Sequence, residues 1–509
     1  MMAAMKLDNN SLTLKQLLDD FVSINYVPDI PVTGICMDSR KVRPGDVFVA
    51  LAGETEHGLA YAEAAVNSGA VAVICDRKFD QYCQQVLSLL MTRVICVPIL
   101  NLKERLGEIA SRFYAEPTKD IYTIGITGTD GKTSVSHFIA QALNDETHTS
   151  AVIGTVGNGM LGELSQTSHT TPNVIDVHRL FSEFRDAGVT QVAMEVSSHG
   201  LDQGRVDGVD FDVAVLTNLG RDHMDYHGDM DAYSAAKKSL FERPELRAIV
   251  VNIDDAFGRQ LAADLQGAVE TWVYGIAPDV FHGARHYVFA SNIEASPDGI
   301  KMQVRCPSGE ATVALRLMGE FNAYNAMATL AVMLIQKIPF KDAIQRLQQL
   351  RPIAGRMEIY ASGDGPRVVV DYAHTPQALS SALSALRQHC TGKIICVFGC
   401  GGDRDKGKRP LMAQAAEQYA DKIIVTDDNP RSEAPQIIVS EILGGFSSQS
   451  NVEIIHDRKQ AIECAMSAAK PGDMVLIAGK GHEDYQIIGQ QRHFFSDAQV
   501  VTDLLGVTG

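Results

Sequence analysis

The sequence predicts an α/β protein built on mainly parallel sheets. Three observations predict it. Short runs rich in Val and Ile, such as Val192–Val196, Val213–Asn218 and Ile249–Ile253, alternate with helical patterns, as buried strands wrapped by helices do. The apolar run Ile121–Ile126 ends in the glycine turn Thr127-Gly128-Thr129-Asp130-Gly131-Lys132-Thr133 and opens into a helical pattern over Thr133–Leu143. In the last third, Val368–Asp371, Ile394–Gly399, Lys422–Thr426 and Met474–Ala478 each end in a polar loop. In an open α/β sheet, ligands sit at those carboxyl ends.

The chain of 509 residues is long enough for about three or four domains, and its texture divides it into three. Residues 1–103 carry short apolar runs, Asp46–Leu51 and Ala70–Cys75, separated by turn residues, which reads as a small α/β domain. A helical stretch, Leu102–Tyr114, leads through Glu116-Pro117 into a central segment, 104–350. Between about 280 and 318 its pattern turns to short alternating strands, an antiparallel appendage, and Asn322–Leu334, rich in Ala, Met and Leu, reads as a buried helix. Pro352 and Gly355 mark the start of the third segment, 351–509.

Composition narrows the function. Hydrophobic residues make up 45%, charged 21% and aromatic 6%, an ordinary globular profile. The net charge of −17 argues against a nonspecific nucleic-acid binder, while still permitting a local basic pocket for an anionic small molecule. Nine scattered cysteines without a CxxC pair are no disulfide framework and suit reduced thiols in the cytoplasm. Met1–Asn10 has no apolar core of a signal peptide. The most apolar stretch, Val86–Leu100, is broken by Arg93 and Pro98 and is too short for a membrane span.

The glycine turn after Ile126 has the makings of a phosphate cradle. Gly128 and Gly131 let the backbone approach a ligand, and the helix start turns N–H groups toward anionic oxygens. Lys132 can reach β/γ-phosphates, and the Thr133 hydroxyl can ligate Mg²⁺. The pattern is shorter than the usual one, with Ile126 where a glycine would stand. Glu195, at the end of Val192–Val196, is a hard oxygen ligand well placed for the same ion.

The segment 217–228 is the densest polar cluster. Asp222, His223, Asp225 and His227 allow a zinc set, a structural turn, or a loop over a metal–phosphate site; the lack of a Cys or of a helical His pair weighs against zinc. Lys237 reads as a solvated helix residue, because an ammonium cannot ligate a cation. Asn322 and Asn325 offer amides at a helix start, and Asp371 could accept from ribose hydroxyls or cap the loop. Gly401–Arg409, Asp427–Arg431 and Gly479–Asp484 follow strands and offer guanidinium and carboxylate groups to an amphoteric ligand.

Taken together these strings resemble the Mur ligase family. The resemblance is carried by the glycine turn, His-Thr-Thr-Pro (169–172), Met-Glu-Val-Ser-Ser-His-Gly (194–200), Asn-Leu-Gly-Arg-Asp-His-Met-Asp-Tyr-His (218–227), Asn-Ala-Tyr-Asn (322–325), Gly-Arg-Met-Glu (355–358), Asp-Tyr-Ala-His-Thr-Pro (371–376) and Asp-Asn-Pro-Arg (428–431). Asp38-Ser39-Arg40 extends it into the first segment.

The resemblance implies three domains: an N-terminal one for a UDP-substrate, a central P-loop ATPase sheet and a Rossmann-like C-terminal one for an amino acid. It implies an ATP- and Mg²⁺-dependent ligase of peptidoglycan synthesis, in which a carboxylate of UDP-MurNAc-L-Ala-D-Glu becomes an acyl phosphate and an amine captures it. By position, Gly128, Thr129, Asp130, Gly131, Lys132, Thr133, Ser134, Asn325, Arg356 and Asp371 match ATP contacts. Thr133, Glu195 and His223 match metal positions, and Lys237 matches a carbamylated lysine, which removes the ammonium objection. Lys132, Glu195, His223 and Lys237 form the implied catalytic set. Met37, Ser39, Glu54, Thr55, Glu56, His169, Thr170, Thr171, Ser197, Gln203 and Arg205 match positions for the UDP-muramoyl dipeptide. Arg404, Asp428, Asn429, Pro430, Arg431, Gly479 and Glu483 match the amino-acid site in its meso-diaminopimelate form, whose extra carboxylate Arg431 could grip bidentately.

Partners are then three small molecules, with no nucleic acid and no membrane span, and a monomer is expected. Two departures stand out: Asp130 replaces the more usual Asn, and Ser134 a frequent Thr. The alternatives are a lysine-adding relative, a folylpolyglutamate-synthase-like ligase, which would not need the region of Asp38-Ser39-Arg40, and a nucleotide-binding scaffold without ligase activity.

Overall fold

A computed structural model describes residues 12–22, 27–53, 56–77, 81–167, 169–276, 284–363 and 365–506. The chain packs as two compact units: Met1–Ser136, Leu143–Ile249 and Ala268–Glu270 form one, and His137–Ala142, Val250–Gly267 and Thr271–Gly509 the other.

In the first unit, β1 (Gly34–Cys36), β2 (Asp46–Ala50), β3 (Ala72–Asp76) and β4 (Ile95–Ile99) form a parallel sheet in that order. Successive residues face opposite sides. Val47, Val49, Ile74 and Ile99 pack with Leu102, Leu106 and Ile109 of helix Leu102–Phe113, while Phe48, Val73 and Cys75 pack with Ala62, Ala65 and Leu87 on the other side. The apolar stretch 86–100 divides into the end of helix Gln81–Leu90 and edge strand β4. An edge is where a sheet tolerates a proline such as Pro98.

Also in this unit, β5 (Tyr122–Thr127), β6 (Ser150–Ile153), β7 (Asn158–Met160), β8 (Gln191–Glu195) and β9 (Val213–Leu216) align as β9-β5-β8-β6-β7. All are parallel except β7. The carboxyl ends of β5, β6, β8 and β9 therefore share one edge, and every residue of β6, β8 and β9 is buried.

The second unit holds most of β10 (Ala248–Asn252) and β11 (Glu270–Gly275) and all of β12 (His286–Ser296), β13 (Gly299–Cys306) and β14 (Gly309–Leu315), in the order β14-β13-β12-β11-β10. The last three strands in sequence are the expected antiparallel appendage. Helix Phe321–Ile335 is buried over nearly all its length, as its unbroken apolar composition requires.

A further sheet in this unit runs β15 (Glu358–Tyr360), β16 (Arg367–Asp371), β20 (Met474–Ala478), β17 (Ile394–Phe398), β18 (Lys422–Val425) and β19 (Val452–Ile454) in spatial order. It is parallel except for β15. One face gives Val369, Cys396, Phe398, Ile423 and Leu476 to a helix-covered core; the other gives Val368, Val370, Ile395, Val397 and Ile477. Both faces are dry, so the strands read as continuous apolar runs. A hairpin of β21 (Tyr485–Ile488) and β22 (Gln491–Phe494) completes the strands of the described residues. No helix among the described residues is long and apolar enough to cross a membrane.

Candidate active site

The glycine turn is tied down along its length. Thr129 and Asp130 donate their amides to Asn218, to its carbonyl at 2.9 Å and its Oδ1 at 3.0 Å. Thr217 Oγ1 donates to the Asp130 carbonyl at 2.6 Å. Gly128 has φ +151°, and a Cβ there would run into Thr217 Oγ1, so only glycine fits. Asp130 is an exposed residue whose main chain these bonds hold. Lys132 Nζ donates to the carbonyls of Gly128 and Thr129 at 2.9 and 2.8 Å, and Ser134 lies half-buried in the first turn of the following helix.

Beside this turn Glu195 is fully buried. Its Oε2 accepts from Thr133 Oγ1 at 3.0 Å and Thr155 Oγ1 at 3.1 Å, and its Oε1 from the Thr155 amide at 2.8 Å. Burial pushes its pKa up; the Thr155 amide and the nearby Lys132 pull it back. A buried carboxylate and a threonine hydroxyl in contact are the hard oxygen pair that suits Mg²⁺.

Lys237 is buried, donates to the Gly128 carbonyl at 2.7 Å and lies 4.5 Å from the centre of the Tyr233 ring. Desolvation, then repulsion from Lys132, holds its pKa down to about 6. It is therefore not the solvated helix residue its neighbours suggest, and its amine is largely unprotonated at neutral pH. His223 has φ +55° and packs edge-on against His199, ring centroids 4.7 Å apart. His199, Tyr226, His227 and Tyr233 complete this aromatic group. No group of three or more His, Cys, Asp or Glu among the described residues is placed to hold a metal ion. Thr133 and Glu195 meet directly, whereas His223 stands with the rings.

The residues matched to the UDP-substrate lie at two places in this unit. Thr171 Oγ1 bridges the Glu195 carbonyl and Ser197 Oγ, at 2.9 and 3.1 Å, and Ser197 caps helix Ser198–Asp202. Thr170 pairs with Thr155 at 2.9 Å. Arg205 donates to the Thr171 carbonyl at 2.8 Å and to Gln203 Oε1, and His169 is exposed. In the first sheet's domain, Asp38 takes Arg40's amide and guanidinium around half-buried Ser39, and those bonds hold the Asp38 carboxyl down to about 2. Met37 packs partly into the core, and Glu56 accepts from the Tyr61 hydroxyl at 2.6 Å. Glu54 and Thr55 lie outside the described residues.

In the second unit, Asn325 is buried and donates to Asn322 Oδ1 at 2.9 Å. The Arg356 guanidinium sits 5.1 Å from the Tyr372 ring centre with its Nε buried and without a hydrogen-bond partner. Asp371 spends one oxygen on the Met357 amide at 2.7 Å and the other on the Ala373 amide at 2.8 Å. That is the loop-capping use of the residue, with one lone pair of each oxygen still open.

The amino-acid candidates gather at the ends of β17, β18 and β20. Asp428 and Asn429 are buried, and so is Pro430. Asn429 Nδ2 donates to Glu483 Oε2 at 3.1 Å. Arg431 donates from Nη1 to the Gly402 carbonyl at 2.8 Å. Arg404 is exposed. Gly479 donates its amide to the Asp371 carbonyl at 3.1 Å.

At the centre is Lys480, wholly buried, with Nζ 3.3 Å from Asp428 Oδ1, 3.2 Å from Asn429 Oδ1 and 3.5 Å from Glu483 Oε2. It orders three of the matched residues, yet a lysine between two glycines reads as a solvated loop residue. Its one sequence signal is its place directly after a strand. Thr155, which holds Glu195 with two bonds, has the same faint signal and belongs to none of the quoted strings.

Three family models match in chain order: "Mur ligase family, catalytic domain" over residues 31–114, "Mur ligase middle domain" over 126–333 and "Mur ligase, glutamate ligase domain" over 355–481. The UDP-N-acetylmuramoyl-L-alanyl-D-glutamate--2,6-diaminopimelate ligase of Coxiella burnetii is 46% identical over 490 residues, covering 96% of this chain and 99% of that protein. The protein of the same name from Ectopseudomonas mendocina is 45% identical over 463 residues, covering 91% of this chain and 93% of its own. A solved structure of a UDP-N-acetylmuramoyl-L-alanyl-D-glutamate--2,6-diaminopimelate ligase, 34% identical, superposes with a TM-score of 0.72 over 97% of this chain and 99% of its own.

Proposed function

The chain belongs to the Mur ligase family, and on that premise we propose that it joins meso-diaminopimelate to UDP-MurNAc-L-Ala-D-Glu at the expense of ATP, a step of peptidoglycan synthesis. The observation that carries the acceptor is Arg431. Its guanidinium stands beside Gly401 and Gly402, in a cluster that also holds Asp428, Asn429 and Glu483. Relatives of nearly full length bear the name of this activity.

A carboxylate resists attack by an amine until one of its oxygens becomes a good leaving group. The dipeptide carboxylate attacks the γ-phosphorus and ADP departs; the acceptor amine then adds to the acyl carbon, and the tetrahedral adduct expels phosphate and a proton. The amides at the start of helix Lys132–Leu143 and the Lys132 side chain would hold the phosphates. Thr133 and Glu195 would hold Mg²⁺, which would neutralise charge on the transferring group. Lys237, unprotonated and buried, is suited to add through its nitrogen to CO₂, losing a proton and presenting a carbamate to the same region, while His223 packs against the Tyr233 ring that lies beside Lys237. Ser39, Thr170, Thr171, Ser197, Gln203 and Arg205 orient the UDP-substrate, and Asn325, Arg356 and Asp371 the nucleotide.

At the acceptor site, opposite charges meet each end of the amino acid. Diaminopimelate carries a far carboxylate that lysine lacks, and Arg431 and Arg404 would be left unpaired by lysine. That none of the nine cysteines is in a disulfide supports a reducing, cytoplasmic setting, with a monomer acting on three small molecules. An acceptor panel tests the reading: phosphate release and product mass with diaminopimelate, lysine and glutamate. Turnover of diaminopimelate far above the others is expected; lysine used equally well would contradict it.

A further inference from the structure

Two loops carry the acceptor guanidiniums, one with Arg404 after β17 and one with Arg431 after β18. Direct hydrogen bonds tie them to each other. Asp403 accepts the Ser432 amide on Oδ2 at 3.1 Å and the Ser432 hydroxyl on Oδ1 at 2.6 Å. Glu433 reciprocates: its Oε1 accepts the Asp403 amide at 2.6 Å. The Gly402 amide donates to the Asn429 carbonyl at 2.9 Å.

Beneath the loops Arg409 is completely buried. Its two terminal nitrogens donate to Glu433 at 3.0 and 2.9 Å, and one also to the Gly401 carbonyl at 3.1 Å. Those bonds keep Glu433 ionised, with its pKa pressed down to about 2. A Cβ on Gly401 would lie 2.8 Å from Arg431 Nη1 and 3.7 Å from Arg404 Cγ, so both side chains pass close to this one glycine.

Asp403 and Arg431 both hold left-handed backbone, φ +54° and +50°. Non-glycine residues stay there only where the surroundings demand it. None of the bonds from Asp403 or Glu433 to the opposite loop closes a helix or a sheet; their one result is the relative position of the two loops.

We propose that Asp403 and Glu433 are positioning residues: they clamp the Arg404 loop to the Arg431 loop and thereby set the preference for an acceptor with a carboxylate at its far end. The inference rests on the ligase reading above. Recognition of a carboxylate by a guanidinium fork is sharply sensitive to placement, so a loosened clamp weakens this one substrate before any other.

The test uses the full chain with ATP and UDP-MurNAc-L-Ala-D-Glu. Asp403 is exposed, so Asp403→Ala leaves the core intact. It should raise the KM for diaminopimelate about tenfold, lower the preference over lysine similarly, and leave kcat and the KM for ATP within about twofold. Asp403→Asn, which tolerates the same backbone and keeps one acceptor oxygen, should fall between. Asp403→Ala with Ser432→Ala should equal Asp403→Ala alone, because both cut one interaction. Unchanged diaminopimelate KM and preference in Asp403→Ala overturns the clamp, as does an equal rise in the KM for ATP. A wild-type chain that itself prefers another amino acid overturns the ligase reading instead.

Discussion

Lys237 Nζ lies 2.7 Å from the carbonyl oxygen of Gly128, so a helix remote in sequence places a buried amine against the phosphate turn. Its depressed pKa, about 6, leaves it unprotonated above that value. The expected outcome for Lys237→Ala is a loss of phosphate release of about a hundredfold or more, typical of losing one charge-stabilising group. Millimolar formate or acetate should return part of it, the small anion standing in for a carbamate. Full activity in Lys237→Ala without any added anion would remove the residue from the chemistry.

Glu195→Gln keeps the shape of the side chain and its bonds to Thr133 and Thr155 within reach, but removes the charge. We expect phosphate release to fall about 10²–10³-fold, and the Mg²⁺ concentration for half-maximal rate to rise. A magnesium titration of both proteins checks this. An unchanged titration midpoint would place the ion elsewhere.

Arg431→Ala should weaken use of diaminopimelate by about 2–5 kcal/mol in kcat/KM, the usual result of truncating one partner of a desolvated charge pair. Binding of ATP, measured by calorimetry, should stay within about twofold of the parent. Equal losses toward both substrates would show general damage rather than a lost grip on the far carboxylate.

His389 reports on pH. Its Nε2 accepts the Gly319 amide at 2.8 Å, so its Nδ1 carries the proton and faces the Ser296 carbonyl at 2.6 Å. Burial lowers its pKa below the ordinary value of about 6.5. The unfolded chain therefore binds the proton first as pH falls. The stabilising contribution is whole above about 6.5 and is lost as pH drops from there toward the lowered folded value. Urea midpoints of the parent and of His389→Gln should converge between pH 7 and 5. Parallel midpoints across that range would refute it.

Much of this was legible because strand ends and ligand residues coincide. The runs before Gly128, Ser197, Tyr372, Gly399 and Gly479 are apolar on both faces, as parallel strands between helices must be, and polar residues can only collect beyond them. Lys237, Lys480 and Arg409 were not legible as buried groups. Each sits in a locally polar string and is desolvated largely because segments distant in sequence close over it: Gly128 over Lys237, Asp428 over Lys480, Glu433 and Glu441 over Arg409. Asp371 carried two readings in sequence, ribose partner and loop cap; the amides of Met357 and Ala373 on its oxygens display the second.

In an acyl-phosphate reaction, phosphate leaves carrying an oxygen of the dipeptide carboxylate. UDP-MurNAc-L-Ala-D-Glu labelled with ¹⁸O at both oxygens of the glutamyl side-chain carboxylate, turned over with ATP and diaminopimelate, tests it by mass spectrometry of the released phosphate. One ¹⁸O atom is expected in each phosphate and one in the new amide. Unlabelled phosphate accompanying amide formation would contradict it.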